Sequence, residues 1–212
     1  LHSDKLNTSM STHIELFKQH IYIIKDLNYE IVQKITSNKG QVQICFDDGY
    51  SGIYGFLDVI RELDVYIKLF VISSKINCPN FLSKQQLIDI SLSPYINIQS
   101  HTHTHRRLNL LSYEDLRLEL KKSKVLLEDI VSQEIDSLCF PEGRYNSHVA
   151  NVAFECGYTT LYSSLPGLNN NLSTNNVIRR SLVQHSSESE FKSILNGGDN
   201  FLYHWYKLQH KS

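Results

Sequence analysis

No run in this 212-residue sequence approaches the ~20 consecutive apolar residues that a membrane-spanning helix requires, and no charged-then-apolar leader opens it. Excess charge is missing too. Twenty-one Lys and Arg stand against 22 Asp and Glu, a formal net of -1, so no whole-chain field draws nucleic acid or anionic lipid. A small neutral or locally charged substrate is the simpler expectation. The cysteines Cys45, Cys78, Cys139 and Cys156 form no CxxC pair and no zinc-finger spacing. Cys45 and Cys139 sit inside apolar runs and read as buried free thiols. Ser51, Thr102 and Ser164 lack any recognisable triad context, and no glycine-rich strand-loop-helix phosphate cradle occurs, which argues against serine hydrolases and nucleotide binders. Nor is any stretch long enough to serve as a linker, so residues 1–212 are expected to form a single domain.

What is present alternates. Thr12 with Glu15 three positions later resembles a capping box, and Ile14, Phe17, Ile21, Ile24 and Leu27 recur at helical spacing, predicting an N-terminal helix over 12–28 that packs on the rest of the domain. Strands are predicted at 29–35, 42–46, 68–73, 96–100, 137–140, 159–163 and 177–183. Between them fall helical patterns after Gly49, over 83–91, after the Ser112–Asp115 cap, and over 146–156. The stretch 169–176, dominated by asparagine, reads as an exposed loop. About seven β/α units argue for a parallel sheet, either open and doubly wound or closed as a barrel.

The strong polar clusters each follow a predicted strand: Asp47-Asp48 in "CFDDGY", three alternating histidines in "QSHTHTHRRL", and "PEGRYN" after Phe140. In parallel α/β folds that edge is where sites form. Successive side chains of a strand point to opposite faces, so adjacent aspartates should have different roles. His101 and His105 converge on one ion if the chain turns helically after Ser100, whereas His101, His103 and His105 share a face only in a continued strand. One carboxylate with two histidines is a ligand set with open positions, suited to Zn²⁺ or another first-row divalent ion.

"FDDGY" and "HTHTH" resemble the first and second motifs of the polysaccharide deacetylases, the NodB-homology domain of carbohydrate esterase family 4, whose second motif reads H-[ST]-x-x-H. The similarity runs on through "SLCFPEGRYN", "GYTTLYSSLPGLNN" and "VIRRSLV". It implies a distorted (β/α)7 barrel and the removal of acetyl groups from N-acetylated amino sugars in a glycan. By motif position it implies Asp47 as general base, Asp48, His101 and His105 as metal ligands, and the segment Pro141-Glu142-Gly143 as the source of an oxyanion-binding N–H. His103 is then the odd one out. Glu142 departs from the aromatic residue usual in the family, so its carboxylate either meets a cationic sugar or faces solvent. The resemblance further suggests a secreted or envelope location. It points to a general-acid histidine in an L-x-H pattern, which Leu202-Tyr203-His204 fits, with His185 as a lesser candidate, although Phe201, Leu202, Trp205 and Leu208 also fit an amphipathic helix. Either Arg179 or Arg180 is placed to orient a carboxylate such as Asp47. Two other readings stay open: a glycan-binding member of the fold without catalysis, and a metal hydrolase of another amide.

Overall fold

The computed structural model of the protein describes residues 1–2, 11–37, 39–169, 177–202 and 206. Helix α1 (Ile14–Asp26) turns Phe17, Ile21 and Ile24 inward. Its cap lies one residue beyond the expected Thr12: the His13 ring accepts the Glu15 N–H at 3.2 Å. Strands β1 (Glu30–Ile31) and β2 (Gln41–Val42) form a small parallel ribbon. The apolar run at 42–46 is thus divided, its second half becoming β3 (Ile44–Phe46).

With β4 (Ile67–Val71), β5 (Ile96–Ser100), β6 (Ser137–Cys139) and β7 (Thr160–Tyr162), β3 builds one parallel five-stranded sheet in the order β3-β4-β5-β6-β7. The crossovers run through α2 (Leu57–Glu62), α3 (Lys84–Ser91), α4 (Tyr113–Val131) and α5 (Ser147–Glu155), and α6 (Glu188–Leu195) packs on α1. The start signals anticipated from sequence are used. Ser83 and Gln86 form a reciprocal capping box, while Ser112 and Asn146 accept the Asp115 and Val149 N–H groups.

The sheet curls as a half-barrel, and strand alternation sorts its residues into two layers. Ile44, Ile67, Leu69, Ile98, Leu138 and Leu161 belong to the large helix-covered core, in which α1 takes part. The opposite, inner face carries Cys45, Phe70, Cys139 and Tyr162. It also carries the buried Lys68, whose ammonium donates to Asn97 Oδ1 at 3.0 Å and Ser137 Oγ at 3.3 Å. The strand expected over 177–183 does not form. Ile178 makes one isolated bridge to Tyr162, and the Asn169 side chain then takes the place of a neighbouring strand, accepting the Arg179 N–H at 2.8 Å and donating to its carbonyl at 3.0 Å. This frees the next residue, Arg180, to point inward.

Candidate active site

The inner face leads directly to the polar clusters. Beyond Cys45 on β3 the next inward position is Asp47, and beyond Gln99 on β5 it is His101, whose N–H prolongs the ladder to Val71 O at 2.9 Å. Simple alternation would send Asp48 outward. Instead Asp48 (φ 71°) and Gly49 (φ 79°) are both left-handed, which reverses the chain and turns the second carboxylate toward the histidines. Glycine suits the following position, because the backbone there is left-handed and a Cβ would press on Val71 Cγ1 at 3.0 Å.

His101 is buried, and its Nδ1 lies 2.9 Å from the Cys139 carbonyl. A carbonyl only accepts, so Nδ1 carries the proton of the neutral ring and Nε2 presents a lone pair. That Nε2 is 3.5 Å from Asp48 Oδ1. The chain then turns rather than continuing as a strand: Thr102 (φ 67°) accepts the His105 N–H on its hydroxyl at 3.1 Å, and His105 itself is left-handed (φ 62°). Its Nε2 comes within 3.7 Å of the same Asp48 oxygen, with the two imidazoles edge to face at 4.8 Å between centroids. Ligand atoms around a tetrahedral first-row ion are separated by about 3–3.5 Å; here both histidine nitrogens approach that distance from Asp48, and all three donors lie within 4.8 Å of one another. Burial lowers the His101 pKa against the pull of Asp47 and Asp48, which keeps the ring in its ligating, neutral form.

Asp47 lies beside that group, its Oδ2 4.0 Å from His101 Nε2. Arg180 Nη1 and Nη2 bind its two oxygens at 2.7 Å each, while Arg180 Nη2 also touches Cys139 Sγ at 2.8 Å and Nε donates to Ser163 O at 3.1 Å. Burial alone would raise the Asp47 pKa. The Arg180 guanidinium, through its charge and its hydrogen bonds, outweighs it and brings the carboxyl to about 2. Asp47, His101 and Cys139 also cluster closely enough to suggest an ion, but the arginine already occupies their common space with its own positive charge. A cavity of about 660 Å³ borders the site and is lined by Asp47, Asp48, Tyr50 and Arg180 among others.

A polysaccharide deacetylase family model matches residues 34–161, more than half of the chain. The chain belongs to that family. It is 26% identical over 177 residues to the polysaccharide deacetylase-like protein YxkH of Bacillus subtilis (strain 168), covering 78% of this chain and 63% of that protein. Among solved structures it resembles a polysaccharide deacetylase from Bacillus cereus (TM-score 0.77, 18% identity, 92% of this chain and 65% of the other). It also resembles the Streptococcus pyogenes deacetylase PplD solved with acetate (TM-score 0.75, 19% identity, 93% and 92%). These likenesses agree with the curled parallel sheet, and this chain spans less than two thirds of the first two relatives.

Set beside the polysaccharide deacetylase motifs, the remaining site residues divide. Pro141–Gly143 form a 3₁₀ turn at the end of β6, with Glu142 (φ 55°) and Gly143 (φ 66°) left-handed. The Glu142 carboxylate is exposed and is shared by two arginines, Arg107 Nε at 2.8 Å and Arg144 Nε at 3.1 Å. His103 points to Ser73, Nδ1 to Oγ at 2.8 Å, and stays out of the converging group. His185 is exposed on the segment before α6, and His204 lies outside the described residues. Sequence reasoning missed Glu119. Only 3% exposed on the core face of α4, it accepts from the Thr104 N–H and from the Thr104 hydroxyl, at 2.9 Å to either oxygen. A glutamate falling on the apolar stripe with Leu116 and Leu120 was the available signal.

Proposed function

We propose that the protein is a metal-dependent N-deacetylase that hydrolyses acetyl groups from N-acetylated amino sugars in a polysaccharide or cell-wall glycan. The observation that carries this reading is the convergence of Asp48, His101 and His105 beside a second carboxylate, Asp47, held ionised by Arg180. The three donors fit a divalent first-row ion, Zn²⁺ foremost, with positions left open. Bound there, such an ion would polarise the acetyl carbonyl and bring the pKa of water toward neutrality.

The chain's own groups supply the rest. Asp47, ionised throughout the neutral range, accepts the proton of the attacking water, and Arg180 fixes both of its oxygens so that the carboxylate cannot rotate out of line. Of the segment Pro141-Glu142-Gly143, proline has no N–H and Gly143 donates its own to Phe140 O at 3.0 Å. The Glu142 N–H is therefore the oxyanion donor we assign. Its backbone is left-handed, and its side chain is engaged by the two arginines.

The test pairs metal analysis with acetate release from N-acetylglucosamine oligomers. Wild type should hold about one ion and release acetate, and His101→Ala should lose both. Asp47→Asn should keep the ion while turnover falls at least ~100-fold. Undiminished turnover in Asp47→Asn would sink the assignment of the base, and an ion-loaded wild type releasing no acetate would sink the deacetylase reading.

A further inference from the structure

The turn after Asp48 places an aromatic pair at the edge of the site. Tyr50 and Phe81 face each other across an isolated antiparallel bridge. Hydrogen bonds flank it on both sides, Leu82 N–H to Gly49 O and Ser51 N–H to Asn80 O, each at 2.9 Å, and the Ser51 hydroxyl adds a third to Asn80 O at 3.1 Å. The rings stack with centroids 4.8 Å apart and planes inclined by 22°. Cross-strand aromatic pairs of this kind commonly stabilise a sheet face. Here the bridge is a single rung between two loops, and Tyr50 remains 40% exposed. It stands two residues from Asp48 and lines the same cavity as Asp47, Asp48 and Arg180.

We propose that Tyr50, backed by Phe81, is a stacking platform for a pyranose ring of the glycan chain, adjacent to the ring whose acetyl group reaches Asp47 and Asp48. A pyranose offers a flat face of C–H groups, which an aromatic face covers without leaving any polar group unsatisfied. Tyrosine has few rotatable bonds, and a ring already stacked on Phe81 loses little further freedom when a sugar settles on it. The Phe81 ring therefore acts by holding Tyr50 in place. The proposal depends on the glycan-substrate reading of the site.

Its test is the affinity of the metal-loaded Asp47→Asn protein for an N-acetylglucosamine pentamer, measured by calorimetry so that substrate is bound but not consumed. Adding Tyr50→Ala should weaken binding about tenfold, whereas Tyr50→Phe, which keeps the stack, should bind like its parent. Phe81→Ala should fall between them. Equal affinity with and without Tyr50→Ala, or no pentamer binding at all, overturns the platform. Acetate release by wild type is recorded in parallel and decides the other question separately: turnover with Tyr50-independent binding removes only the platform, and Tyr50-dependent binding without turnover removes only the hydrolase.

Discussion

Replacing Arg180 with alanine would leave Asp47 inside the half-barrel without the cation that holds it. The native pair has two 2.7 Å bonds, and the guanidinium also lies 5.2 Å from the Phe70 ring centre, so truncation removes charge and packing together. The carboxyl stands at about 2 instead of its ordinary 3.8, a displacement corresponding to roughly 2 kcal/mol in favour of the ionised form. Breaking a buried pair from one side costs about 3–5 kcal/mol in general; with the Asp47 side chain 29% exposed, the lower end of that range, ~3 kcal/mol, is the most to be expected here. The sign in pH follows from the depressed value. The contribution is fully present above the ordinary carboxylate pKa and disappears as pH falls through about 2. Urea denaturation of chelator-treated protein measures it: Arg180→Ala should lose ~3 kcal/mol at pH 7, with the gap to wild type narrowing in acid. Asp47→Asn combined with Arg180→Ala should recover part of that loss, because no uncompensated charge is left. An unchanged urea midpoint for Arg180→Ala, or a double variant no more stable than the single one, would refute the electrostatic account of this pair.

Two further outcomes are expected. Glu119→Gln keeps the size of the side chain but weakens its hold on Thr104, so thermal stability should fall by an amount equivalent to about 1–2 kcal/mol. Ion retention during dialysis should fall with it, because His105 sits next to the loosened residue. Gly143→Ala must place a Cβ 2.6 Å from the backbone nitrogen of Ser164 at a φ of 66°, and should cost ~2 kcal/mol or more in a melting experiment together with most of the acetate release.

The converging donors were legible because they obey rules local to the chain: β5 ends at Ser100 as the pattern predicts, and His101 and His105 follow at a spacing that a turn brings together. What the sequence could not disclose was tertiary. Motif position set His103 apart, but not where it goes: its partner, Ser73, lies 30 residues away. The apolar ends of the segment 177–183 imitate a strand, but the Asn169 side chain satisfies the backbone that a strand would have paired. Arg180 was one of two adjacent arginines with nothing local to choose between them. The choice was made by which one followed the single bridge beside β7 and so faced inward.

A sheet that stops at β3 and β7 has a seam where a closed barrel would have another ladder. Arg180 crosses it, reaching from the segment beside β7 to Asp47 at the end of β3. Backbone ladders hold regardless of what the side chains are doing, whereas this stitch is at full strength only while Asp47 is charged. On the mechanism proposed above, each proton that Asp47 takes up slackens the stitch and each proton it gives back draws it tight, so the chemistry and the closure of the seam draw on one ion pair.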